Sequence, residues 1–174
     1  MKYTFLFLAL SFGLSIQCHS QNVMDDREPS EYFDFWVGKW KVSWEEGNGM
    51  GKGTNHIERI LDGTVIRENF RILEGQNTGF QGTSISVYQP RLNLWKQVWA
   101  DNQGGYFDFT GKVDGEKRIF QTEISEREDG SRITQRMVFY DITNGSLTWD
   151  WESSTDGGET WTLNWRIFYE RMDE

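Results

Sequence analysis

The chain has 174 residues, 16 % of them aromatic, with nine Trp, twelve Phe and a formal net charge of -9. That length suits one domain with a sizeable core, and the aromatic content excludes a disordered chain. A hydrophobic fraction of 37 % excludes a polytopic membrane protein, and the acidic balance repels nucleic-acid phosphates and anionic lipid headgroups.

Behind Met1-Lys2 runs an apolar stretch from Tyr3 to Ile16, shorter than the roughly 20 residues of a membrane-spanning helix. It reads as a secretory signal over 1–20 with cleavage after Ser20. Lipid attachment at Cys18 is the alternative, opposed by the bulky Gln17 beside it. An exported chain beginning at Gln21 is periplasmic or extracellular and has no stable membrane insertion. It keeps no cysteine, and His56 is its only histidine. Residues 21–31 then form a polar leader, in which Ser30 is placed to cap a helical turn over residues 31–35. A single β domain over 32–174 follows.

From Gly38 onward apolar and polar residues alternate in short runs divided by Gly, Asp and Asn. Trp40, Val42 and Trp44 share one face of the first strand. The glycine-rich segment 47–53 predicts a flexible hairpin loop. A strand over 54–61 then ends in a tight turn marked by Asp62-Gly63. Further strands are predicted at 65–73, 83–88, 94–101, 106–113, 118–125, 132–141, 147–153 and 161–171. Ten hairpin-linked strands describe an all-β, antiparallel up-and-down meander, which avoids exposed edges most simply by closing into a barrel.

The segment Phe35-Trp36-Val37-Gly38-Lys39-Trp40, with Arg166 near the other end, resembles the calycins, the lipocalin and fatty-acid-binding barrels. The resemblance implies that Gly38 and Trp40 open the first strand. It also implies that Arg166 lies over the Trp40 indole as a cation–π cap on the closed end. Four motifs (33–40, 57–63, 95–101 and 151–158) are similar to an uncharacterised bacterial family that is calycin-like and identifies no chemistry. Nitrobindin-type haem barrels share the ten-strand plan, but their haem ligand is a late histidine. No histidine stands in the late strands here, and no cofactor is implied. Ser154-x-Asp156-x-Gly158-x-Thr160-Trp161 resembles the Asp-box hairpin of sialidase propellers, a folding element in which Asp156 shapes the turn and Trp161 packs beneath it.

The chemistry available is narrow. No nucleophile elbow, phosphate loop or metal-ligand spacing occurs, and the acidic turns at 126–129 and 156–159 lack the alternating oxygen ligands of a calcium loop. His56, on the second strand, reads as a half-buried hydrogen-bonded residue, with haem ligation or general-base duty as alternatives. Trp95, Gln97, Trp99 and Asp101 share one strand face, and Ile66, Glu68, Phe70 and Ile72 share another. In a barrel such faces line the interior. Glu68 is then a lone carboxyl among apolar neighbours, unless it pairs with an arginine such as Arg67 or Arg71 or faces solvent. Tyr106 and Asp108 are placed to complete a polar rim with Asp101, and Trp149 and Trp151 to add flat walls. Trp44 and His56 complete the candidate ligand-binding set.

Three functions fit: a barrel binding a small apolar or amphipathic molecule, an enzyme using Glu68 or Asp101 as general acid or base, and a self-filled barrel acting as an interaction module.

Overall fold

The computed structural model describes residues 27–173. The export signal expected over 1–20, the lipid site expected at Cys18 and the first part of the leader lie outside the described residues. The strands are β1 (Gly38–Glu46), β2 (Gly49–Ile60), β3 (Val65–Glu74), β4 (Gln81–Gln89), β5 (Leu94–Asp101), β6 (Tyr106–Asp114), β7 (Lys117–Gln121), β8 (Ser125–Glu126), β9 (Arg132–Tyr140), β10 (Ser146–Ser154) and β11 (Thr162–Arg171). β1 to β7 pair in chain order, β7 pairs with β9, and β9, β10, β11 and β1 complete the ring through antiparallel ladders. The expected fold is therefore the observed one, a closed antiparallel up-and-down barrel of ten strands. β8 is an additional two-residue strand hydrogen-bonded to β9.

Several local expectations are corrected. β2 begins at Gly49, so only Gly47-Asn48 forms the turn and the remaining glycines belong to the ladder. Gly51 is required there because the Trp44 indole lies flat across it, where a Cβ would overlap the ring. The turn after β2 spans residues 61–64, with Leu61, Asp62 and Gly63 all at positive φ. The strand expected over 118–125 is interrupted. Past Gln121, the Thr122 hydroxyl accepts the Gln135 N–H at 3.0 Å, in place of a backbone carbonyl, and the ladder breaks. Ser30 caps nothing. It lies inside a 3₁₀ turn, Pro29–Glu31, opened by a proline whose fixed φ suits the first position.

A second 3₁₀ turn, Asp34–Trp36, carries the chain across one end of the barrel and closes it. Phe33 and Trp36 are buried there, with Phe33 stacked on Phe120 at 4.2 Å and edge-on to Trp95 at 5.2 Å. A chain crossing a barrel end leaves its carbonyls without ladder partners, and buried carbonyls must be bonded. Side chains of the barrel supply the donors. Trp95 Nε1 reaches Pro29 O at 2.8 Å, Arg118 Nε reaches Tyr32 O at 3.1 Å, and Trp40 Nε1 reaches Trp36 O at 2.8 Å. Arg171 takes Phe35 O at 2.9 Å and Val37 O at 2.8 Å.

Arg171, and not Arg166, makes the cation–π cap. Its guanidinium carbon stands 4.0 Å from the Trp40 ring centroid. The reason is alternation. Trp165, Ile167, Tyr169 and Arg171 share the inward face of β11, so Arg166 faces outward, where it holds Asp150 through two bonds of 2.7 Å. Gly38 (φ 142°) opens β1, and a Cβ there would strike the Arg171 guanidinium.

Candidate functional site

At the opposite end the barrel is not filled. A cavity of about 160 Å³ lies between β3, β5, β6, β9, β10 and β11. β4 contributes no wall to it, its inward residues there, Gly82, Ser84 and Ser86, being small. Trp99 lies flat over Gly82, where a side chain would displace the indole. Rings make the wall: Phe80 stacks with Trp99 at 6.5 Å and Trp149 with Trp151 at 6.4 Å. Phe107 meets Trp151 edge-on at 5.4 Å, and Trp165 meets Trp149 edge-on at 5.9 Å. Phe70, Phe109, Met137 and Ile167 complete the apolar lining.

The polar lining consists of Glu68, Asp101 and Tyr169. Glu68 is 4 % exposed and faces Ser84 directly across the β3–β4 ladder. Ser84 donates to it at 2.6 Å, and the Asn55 amide at 2.7 Å; that amide also reaches Tyr169 Oη at 3.1 Å. Asn55 Oδ1 is buried without a partner. Burial raises the Glu68 pKa to about 7, against the two hydrogen bonds, which favour the carboxylate. The arginine partners considered from sequence lie elsewhere. Arg67 and Arg71 alternate to the outer face of β3, and Arg67 pairs with Glu58. Burial, with the Glu68 charge next in order, pushes the Tyr169 hydroxyl far above its ordinary pKa and keeps it neutral.

Asp101 is a different kind of carboxyl. Burial would raise its pKa, but the Gly105 N–H, the Trp99 indole and the Gln103 N–H together hold it below the usual range. Those bonds, at 2.9, 3.1 and 2.9 Å, lock the β5–β6 turn and fix the Trp99 ring. Asp101 is thus a carboxylate at the rim, with both Oδ1 lone pairs and one on Oδ2 engaged by the turn and the indole.

Of the residues assigned to ligand contact, the cavity brings together Glu68, Phe70, Trp99, Asp101 and Trp151. Trp44 is buried behind the wall, 5.1 Å edge-on to Trp165, and is not part of the lining. Trp95 belongs to the closed end, and Gln97 is buried between the two regions, bonded to Ser86 at 2.8 Å. His56 is exposed, because the inward residues of β2 are its neighbours Asn55 and Ile57. Tyr106 is 68 % exposed and Asp108 pairs outside with Lys96, because Phe107 and Phe109 take the inward positions of β6. The polar rim expected from those two residues is absent.

The turn between β10 and β11 is built around Asp156. Asp156 accepts the Glu159 and Thr160 N–H groups at 3.0 Å and the Ser154 hydroxyl at 2.6 Å, and these bonds hold its carboxyl far below the usual range. Trp161 packs beneath, its indole bonded to Gly158 O at 3.1 Å and covered by Arg136 at 3.8 Å.

Fold and cavity together define a closed antiparallel barrel with one plugged end and one aromatic, end-opening pocket. No protein-family model and no curated protein matches the chain. Among the described residues no group of three or more His, Cys, Asp or Glu is placed to hold a metal ion, and no helix is long and apolar enough to cross a membrane.

Proposed function

We propose that the protein is an exported calycin-like barrel that binds a small amphipathic molecule of about one ring in size. The observation that carries this reading is the pairing of an unfilled aromatic cavity with a single buried, hydrogen-bonded carboxyl at Glu68. Apolar pockets with few polar groups are the usual form of small-molecule sites. A void of 160 Å³ compares with the roughly 150 Å³ cavity that accepts benzene in an engineered core. Empty space in a core costs stability, so a filled interior, as a purely structural barrel requires, fits the closed end and not this one.

The raised Glu68 pKa also suits a general acid or base. A two-carboxyl mechanism has a poor second member, since three donors tie the Asp101 carboxyl to the β5–β6 turn and the Trp99 indole and hold it ionised. Binding is therefore the better-supported reading. It is tested by native mass spectrometry on residues 21–174 recovered from exported material without detergent. A retained adduct of single-ring mass is the expected result, lost in Trp99→Ala. Turnover of any adduct by the wild type that vanishes in Glu68→Gln would move the assignment to catalysis.

A further inference from the structure

We infer that the ligand is an organic cation, a protonated amine on a single ring, whose ammonium group docks on Glu68. The inference rests on the binding reading above and adds the charge of the occupant. The polar groups of the cavity are two carboxyls and a neutral phenol, with no Lys, Arg or His in the lining. Carboxylate ligands would meet no cation there. The faces of Trp99, Trp149, Trp151 and Trp165 carry negative quadrupole density, which attracts ammonium groups most strongly where water is excluded.

Acceptors also outnumber donors at the base. Glu68 offers two oxygens and receives one hydrogen bond on each, from Asn55 and from Ser84, which leaves further lone pairs. Asn55 has spent its amide hydrogens on Glu68 and Tyr169, and its carbonyl oxygen is buried and unpartnered. An ammonium head in the cavity donates to the open lone pairs of Glu68, which lines it, and supplies the counter-charge that a buried carboxylate lacks. The groups packed on Glu68 are Asn55 from β2, Ser84 from β4 and Tyr169 from β11, so Tyr169 is its one titratable neighbour in that cluster. Because ammonium and proton compete for the same oxygens, cation affinity rises as Glu68 ionises.

The test uses three matched probes: phenethylamine, 2-phenylethanol and 3-phenylpropionate, each titrated against tryptophan fluorescence. The ammonium form is expected to bind at least about tenfold tighter than the alcohol at neutral pH, and the carboxylate weakest. Glu68→Gln should still bind the alcohol while losing the tenfold preference. In the wild type the preference should grow from about pH 5.5 to about pH 8, where the amine stays protonated and the carboxyl ionises. This arm keeps the test open if the variant fails to fold. Equal or better binding of the alcohol or the carboxylate overturns the cation assignment and leaves the binding barrel standing. A preference kept by Glu68→Gln, or flat with pH, overturns the role of Glu68. No binding of any probe overturns the cation assignment and the binding reading together.

Discussion

The two ends of this barrel are built from the same residue types and do opposite things. At the closed end tryptophan and arginine reach inward to a chain segment whose carbonyls they satisfy, and the rings of Phe33, Trp36 and Trp40 are buried. At the open end tryptophans face one another across space, and the buried polar group is a carboxyl without a cation. The difference lies in what the aromatics meet. A 3₁₀ turn covers one end, while at the other a ring of aromatic side chains encloses a cavity. Aromatic richness alone thus says nothing about whether a barrel is filled.

The sharpest way to break this comparison is to truncate one ring at each end. Trp40→Ala should cost about 3–5 kcal/mol in urea unfolding, as expected for a large core side chain with its cavity left behind. Trp99→Ala, which removes a half-buried ring beside an existing void, should cost about 1–2 kcal/mol and abolish ligand retention. Equal costs at both ends would mean that the open end is packed as tightly as the closed one.

A somewhat smaller effect belongs to the buried carboxyl. Glu68 holds its proton to about pH 7 in the folded state, against 4.5 when unperturbed. The folded chain binds more protons than the unfolded chain between those values, so stability falls as pH rises across them. The benefit of protonation is complete below about pH 4.5 and lost above about pH 7, worth about 3 kcal/mol for this group. The stability difference between wild type and Glu68→Gln should therefore change by that amount from pH 4.5 to pH 8, always against the wild type. A difference independent of pH would remove the distinction drawn between the ends.

The smallest expected effect lies outside the comparison and calibrates it. Asp156→Ala should lower the melting temperature least of the set and speed amide exchange at Glu159 and Thr160, whose N–H groups it releases. Ligand affinity should not change.

How much of this was legible in the sequence depends on the range of the interaction. Alternation within a strand identified the inner faces of β3 and β5, because period-two burial is local. The same rule, applied one residue more strictly, separates the failures from the correct residues. Arg171 shares parity with Trp165 and Arg166 does not; Phe107 and Phe109 stand beside Tyr106 and Asp108; Asn55 stands beside His56. In each case the strand parity, and not the chemistry of the side chain, decides which residue is buried. Met137, Ile167 and Phe80 escape a local reading for a different reason. Each reaches the cavity through pairing or curvature around the ring, and no local pattern marks that convergence. The glycines of β2 were read as a loop because the sequence does not show the indole that lies across Gly51.

The plug has a geometric consequence for how the molecule can be displayed. The described chain enters through the closed end at Pro29–Glu31 and leaves it beside the same end, where the Met172 N–H bonds Lys39 O at 2.9 Å. The described residues therefore begin and end opposite the pocket mouth. A fused domain or an immobilising surface joined directly at Arg27 or Asp173 holds the barrel by its base and leaves the mouth facing away.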